Sequence, residues 1–389
     1  MVRLLVGLLS LLVWTMPAWA VTRYVSPRGN DMNACATSQA PGASAKRTID
    51  AGVACMAGGD TLIIEAGTYA ETLGLTRAIP NGSAGAPTTI RAEGTVTLQP
   101  NNPNIDVVLL IRPSQHDITL EGLAFDAGSP DGTRLSAFPI ATDAATTPST
   151  LAHNIRIANG KITNGRHSGL LVAGTRWEVS GNEIFNNGTD STFDHGVYWQ
   201  VNQSTFTDNV VHDNSAWGLQ NFSSAGFTPS DNTFLRNAFY NNGDGGMTMT
   251  SGDNHLVASN LIYNNFNANS GGLVIASTGR YYNNTVYGNT GAGIVACCDT
   301  VLTSNHILRN NLVVNNRGGN LVGLGRATQS NNLTNLTCDP GFVNAGAGDF
   351  HLTAGSCAID QGATLPEASP DFDGVARVAP YEVGALEFR

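Results

Sequence analysis

The chain has 389 residues, of which 13% are charged, with 44 glycines and a formal net charge of −10. An acidic chain whose only lysines are Lys46 and Lys161 lacks the basic stripe that a nucleic-acid partner requires. Hydrophobic residues make up 41%, which excludes a disordered chain, and the abundance of Gly and Asn suits a fold with many tight turns.

The first twenty residues read as a secretory signal peptide. Arg3 supplies the positive start, Leu4 to Met16 the apolar run, and Ala18-Trp19-Ala20 a small-x-small cleavage site. No later apolar stretch approaches the roughly 18 residues of a membrane span. The mature chain is therefore expected to be secreted, as a monomer that is extracellular, periplasmic or associated with the outer membrane. Six cysteines follow, and an even count in an exported chain favours disulfides. The expected pairs are Cys35 with Cys55 and Cys338 with Cys357, each closing a loop near one end. The adjacent Cys297-Cys298 fits either a strained vicinal bridge or two reduced thiols.

Thr48 to Met56 reads as a short amphipathic helix ended by Gly58-Gly59. It stands where the cap of an elongated stack belongs. Strands begin at Gly59-Asp60-Thr61 and continue through Tyr69.

The middle of the chain repeats. Asn182-Glu-Ile-Phe-Asn-Asn187 recurs in altered form from Asn209, Asn237, Asn260, Asn284 and Asn311, at intervals of 27, 28, 23, 24 and 27 residues. Each copy is trailed by a Gly that opens an alternating segment, as in Gly169-Leu-Leu-Val172, Gly196-Val-Tyr-Trp199, Gly218-Leu-Gln-Asn221 and Gly246-Met-Thr-Met249. A unit of this length with period two and β-branched or aromatic residues predicts short stacked strands, not helical or leucine-rich repeats. The recurring Asn is expected to bond to its copy one coil away and so satisfy the turns. Alternation places Ile184, Val211, Phe239, Ile262, Val286 and Val313 inward. It turns Phe185, His212, Tyr240, Tyr263 and Tyr287 outward as an aromatic ladder, which serves either sugar stacking or simple stacking between coils. After about residue 338 the repeat gives way to loops, expected to close the second mouth of the stack.

Tyr24-Val-Ser-Pro-Arg-Gly-Asn-Asp31, Gly59-Asp60-Thr61 and Ala66-Gly-Thr68-Tyr69 resemble the opening of pectate-lyase-like right-handed parallel β-helix proteins. Cys338-Asp-Pro-Gly-Phe342, Gly348-Asp-Phe-His-Leu352, Gly355-Ser-Cys-Ala-Ile-Asp360 and Gly384-Ala-Leu-Glu387 resemble the C-terminal, choice-of-anchor-like segment of bacterial exported β-helix proteins. The resemblance implies an all-β solenoid. It divides the chain into a signal peptide (1–20), a β-helix with its N-terminal cap (21–337) and a C-terminal cap (338–389). The fold hosts lyases, hydrolases, epimerases and binders, so activity must be read from the site. The clustered Asp of calcium pectate lyases, the Asp-Pro-His of mannuronan epimerases and the paired Asp of polygalacturonases are all missing. Phe193-Asp194-His195 is only loosely similar to the second.

Aligning the copies on Gly169, Gly196, Gly218 and Gly246 stacks His167, Asp194, Ala216 and Asp244, and beside them Ser168, His195, Trp217 and Gly245. The expected catalytic group is therefore His195, Tyr198, Arg166, His167 and Asp194, with His195 or Tyr198 as base and Arg166 as counter-charge. Trp217, Gln200, Gln220, His212, Tyr240 and Asp244 are the expected substrate contacts. The same histidines and Asp194 would also serve as plain turn ligands. Lys161 falls beside Glu183, an exposed ion pair. A Ca2+ site on Asp190, Asp194 or Asp213 stays open, because such a site needs only loosely arranged oxygens. The expected function is a polysaccharide lyase or epimerase acting on an acidic glycan. The alternatives are a non-catalytic carbohydrate-binding or cell-envelope solenoid, and a glycoside hydrolase using Asp194 and Asp244.

Overall fold

The computed structural model describes residues 20–100, 102, 105–128, 136–142, 150–223, 227–297, 302–335 and 339–389. Residues 1–19 of the expected signal segment, Cys298 and Cys338 lie outside them.

Each repeat folds as one coil of three short strands, and every strand pairs in parallel with its counterparts one coil away. Three ladders result. The first runs through Glu178–Ser180, Thr205–Thr207 and Thr233–Leu235. The second runs through Glu183–Phe185, Val210–His212, Ala238–Tyr240 and Leu261–Tyr263. The third runs through Leu170–Thr175, Val197–Asn202, Leu219–Asn221 and Met247–Met249. Period-two alternation gives Val197–Asn202 its strictly alternating burial. The six residues expected inward are all fully buried.

From Asn182 onward, two corners of the coil are built from the Asn repeat. At the first corner Asn182, Asn209, Asn237, Asn260, Asn284, Asn311 and Asn332 form a continuous column. Each Oδ1 accepts from the backbone N–H and the Nδ2 of the Asn one coil before, at 2.8–3.1 Å. A second column, Asn187, Asn214, Asn242, Asn265, Asn289 and Asn316, does the same at 2.9–3.3 Å. The residue before each column member is left-handed, for example Asn186 at φ 55° and Asn264 at φ 53°. Asn tolerates that conformation better than most L residues. The Asn-Asn dipeptide is thus one residue for the bend and one for the column.

At the N-terminal end the helix is Ile49–Ala54, inside the expected span. Thr48 Oγ1 accepts from the Ala51 N–H at 3.2 Å, and Ile49 and Val53 are buried. Cys35 bonds to Cys55 as expected. Cys297 and Cys357 are each disulfide-bonded, with Cys298 and Cys338 outside the described residues.

The described contacts of the C-terminal segment are with the flank of the last coils rather than across the open mouth. Ser259, Asn283 and Asn310, bend residues of three successive first corners, bond to Ala368, Glu382 and Ala363. Phe350 packs edge-on against Tyr263, so the outward aromatic ladder is partly covered by this segment. Inside it, Arg377 pairs with Glu387 at 2.8 Å. Burial, reinforced by the neighbouring Glu387, holds the Glu382 proton up to about 8.

Two outcomes are expected. Asn260→Ala strands the Asn237 N–H and the Phe234 carbonyl in the interior, at a cost of about 2–4 kcal/mol by denaturant unfolding, whereas Asn264→Gly at the adjacent bend costs less than about 1 kcal/mol. An unfolded Glu titrates near 4.5 and Glu382 near 8. Its protonated form therefore supports docking of the segment fully below pH 4.5, and that support declines as pH rises to 8. Limited proteolysis of the C-terminal segment should accelerate across this window, and Glu382→Gln should flatten the change.

Candidate functional site

The outward positions of the third ladder carry Leu171, Tyr198, Gln220, Thr248 and Val274 in register. The side-by-side stacking read from the glycines is present: Gly169 donates to the His195 carbonyl, Gly196 to Trp217 and Gly218 to Gly245. Each same-offset set is therefore one coil apart, about 4.8 Å. His167, Asp194, His195, Tyr198, Gln200, Trp217, Gln220 and Asp244 all belong to this flank or its edge. Arg166, one coil from Tyr198 in the alignment, is exposed.

His195 is buried at 1% exposure. The Trp217 N–H donates to its Nδ1 at 3.3 Å, so the ring's proton sits on Nε2, which faces Gln220. Burial, opposed by Gln220 and Asp194, pushes its pKa down to about 4. The imidazole is thus neutral and buried, with its Nδ1 lone pair engaged by a backbone N–H. Its ring lies parallel to Tyr198 at 5.7 Å, so it works as a rigid backing for that phenol. Tyr198 itself is half-buried and bonded to Gln200, and burial raises its pKa above the ordinary phenol range.

Asp194 is also a scaffold residue here. Its Oδ2 accepts from the Thr189 and Asp190 amides at 2.9 and 2.8 Å, and its Oδ1 lies 2.9 Å from His167 Nδ1. Burial alone would raise its pKa, but these bonds outweigh burial and hold it below the usual range. Asp244 differs: burial raises it, against bonds from Asn267, Ser270 and Trp217. The Trp217 ring covers Gly245, where a Cβ would meet its Cζ3 at 2.3 Å. Only 9% of Trp217 is exposed, so it forms a wall and not an open platform.

Beside Trp217 lies a recess of about 350 Å³, whose rim includes Gln220, Thr248, Asn269 and Ser270. Asn269 and Ser270 come from the loop before Gly271–Ile275, a contribution the repeat alignment could not show because that loop is particular to one coil. Thr248 was within reach, since it occupies the Gln220 offset. Phe222, 40% exposed and tilted against Tyr198 at 6.2 Å, was also missed, though it stands directly after an aligned strand.

His212 and Tyr240 are not part of this group. They face outward on the second ladder, stacked at 4.8 Å with rings nearly parallel. His212 Nδ1 lies 2.6 Å from Asp213. Lys161 pairs with Glu183 at 2.6 Å, an exposed contact worth about 0–1 kcal/mol. Asp190, Asp194 and Asp213 do not converge, and among the described residues no three His, Cys, Asp or Glu side chains gather as a metal-ligand set.

The imidazole environment has a direct consequence. Nitrogen-resolved NMR should show His195 as the Nε2–H tautomer, without protonation until about pH 4. An unfolded His charges near 6.5, so folding stability should fall as pH drops from 6.5 toward 4. His195→Gln should remove this component.

A family model described as the right handed beta helix region matches residues 168–336. No curated protein sequence matches the chain. Among solved structures, the pectate lyase Pel9A is similar over 95% of this chain and 96% of its own, at 16% identity and a TM-score of 0.68. XylC in complex with xylose covers 95% of this chain and 98% of its own, at 11% identity and a TM-score of 0.57. The A-module of mannuronan C-5 epimerase AlgE4 from Azotobacter vinelandii covers 79% and 80%, at 15% identity and a TM-score of 0.51. At these identities the likeness is one of fold. The parallel ladders, the family match and these neighbours together make the chain a right-handed parallel β-helix.

Proposed function

We propose that this chain is an exported, polysaccharide-binding β-helix protein whose third-ladder flank receives a glycan chain. The observation that carries the reading is the in-register pair of Tyr198 and Gln220 along that flank, continued by the largely buried Thr248 (3% exposed) into the recess beside Trp217. Amides and hydroxyls that donate and accept, next to aromatic carbon, suit a ligand with many hydroxyls and apolar ring faces. A row repeating once per coil suits a polymer. Solved folds of this kind include proteins named for pectate, xylose and mannuronan, which supports the substrate class without fixing the sugar.

A uronate lyase or epimerase is the second reading, favoured by Arg166 and Tyr198 standing on neighbouring coils. Arg166 would neutralise the carboxylate and the Tyr198 phenol would exchange the proton. His195 has no base role in it. A glycoside hydrolase finds less support, because Asp194 is 4% exposed and both its oxygens are engaged.

The test uses the protein from Val21 onward with a panel of neutral and uronate polysaccharides, followed by affinity electrophoresis and by the ultraviolet absorbance of unsaturated uronides. Retardation by at least one polysaccharide, weakened about tenfold by Tyr198→Ala with circular dichroism unchanged, is the expected result. Retardation that Tyr198→Ala leaves intact and Tyr240→Ala abolishes would overturn the placement. Rising absorbance that vanishes in Tyr198→Phe would establish the lyase reading, and flat absorbance on every uronate would remove it.

A further inference from the structure

The flank is not uniform in charge, and the recess at its end differs from the edge where Arg166 stands. Among the described residues, none of the side chains lining the recess is charged. Its walls include the hydroxyls of Thr248, Thr250 and Ser270 and the amides of Gln220 and Asn269, and the rest is the surface of Trp217, Val274 and the strand end Val295 to Cys297. Its volume, about 350 Å³, falls at the small end of the roughly 300–1,000 Å³ typical of ligand sites.

Directly behind two of these walls lies a carboxyl group. Asp244 accepts from the Ser270 and Trp217 side chains, and its Oδ1 takes the Asn267 amide at 2.6 Å. Among the described residues, no guanidinium or ammonium lines the recess to balance it. A uronate placed here would give up hydration without an ionic partner and meet the field of Asp244 as well. Burying an unpaired carboxylate is costly, and planar cationic partners are what ordinarily make it favourable. A hydroxyl-bearing sugar meets no such penalty, since every polar wall group can donate, accept or do both.

We infer that the recess beside Trp217 is a subsite for an uncharged sugar unit, recognised by Gln220, Asn269 and the threonine and serine hydroxyls. The inference rests on the glycan-binding reading above and narrows it. It separates the flank into an end near Arg166, where a negative group is tolerated, and an end that selects neutral residues.

The experiment measures binding of full-length mature protein by titration calorimetry to two sets of probes, xylo- and cello-oligosaccharides on one side and oligogalacturonates and oligomannuronates on the other. The expected result is at least tenfold tighter binding of a neutral probe. Asn269→Ala and Gln220→Ala should each weaken that binding about tenfold. Gln220→Lys, which installs a cation in the recess, should raise uronate affinity relative to neutral probes. Uronate binding that equals or exceeds neutral binding in the native protein and is lost in Asn269→Ala would overturn the neutral subsite while leaving the glycan-binding reading in place. Neutral binding untouched by both alanine variants would also overturn it, because the sugar would then sit elsewhere. Binding of neither set, with the fold confirmed by circular dichroism, would bring down the glycan-binding reading and the subsite together.

Discussion

The structure depends on a side chain that completes the hydrogen bonds of a backbone turning every few residues. A three-stranded coil must bend sharply at each corner, and each bend removes backbone groups from the ladders. Buried groups left in that state would cost about 1–3 kcal/mol apiece. The Asn columns prevent this. Each amide accepts from the backbone N–H and side chain of one neighbour and donates to a carbonyl and to the next column member. Because the Asn-to-Asn bonds span adjacent coils, the columns bind the stack along its axis while apolar residues fill it laterally. Removing one member therefore affects two coils.

This constraint also sets the form of the site. Since the columns hold successive coils in register, residues at the same offset line up at a spacing of about 4.8 Å. A functional surface on such a fold is a row and not a cluster gathered from distant segments. Tyr198, Gln220 and Thr248 make that row. Chemical variety enters where a coil departs from the pattern, as at the loop carrying Asn269 and Ser270. The buried His195 shows the other side of the same rule. A polar residue three positions before the row is drawn into the corner's hydrogen bonding by the Trp217 backbone N–H.

Much of this was legible in the sequence, for a physical reason: the information is periodic. The recurrence of the Asn residues, the inward residues from Ile184 to Val313 and the outward ladder from Phe185 to Tyr287 all follow from alternation in units of similar length. So do the pairing of Lys161 with Glu183 and the alignment of Tyr198 with Gln220. What could not be read was aperiodic. Facing alone does not say that His212 and Tyr240 occupy a different flank from Tyr198. Nothing in residue order reveals which imidazole nitrogen of His195 holds a proton or how deeply the ring is buried. That Trp217, an expected substrate contact, is largely buried follows from the emptiness of Gly245, into which its ring settles, and that is visible only in three dimensions. The C-terminal segment docks along the last coils through Ser259, Asn283 and Asn310, residues whose sequence role is only to bend.

The claim at the centre is that glycan occupies the third-ladder flank. Hydrogen–deuterium exchange of the mature protein, with and without the polysaccharide that retards it most, tests this directly. The account expects added protection confined to Val197–Asn202, Leu219–Asn221, Met247–Met249 and residues 266–270. Protection confined instead to Glu183–Phe185, Val210–His212 and Ala238–Tyr240 would contradict it and move the binding surface to the aromatic ladder.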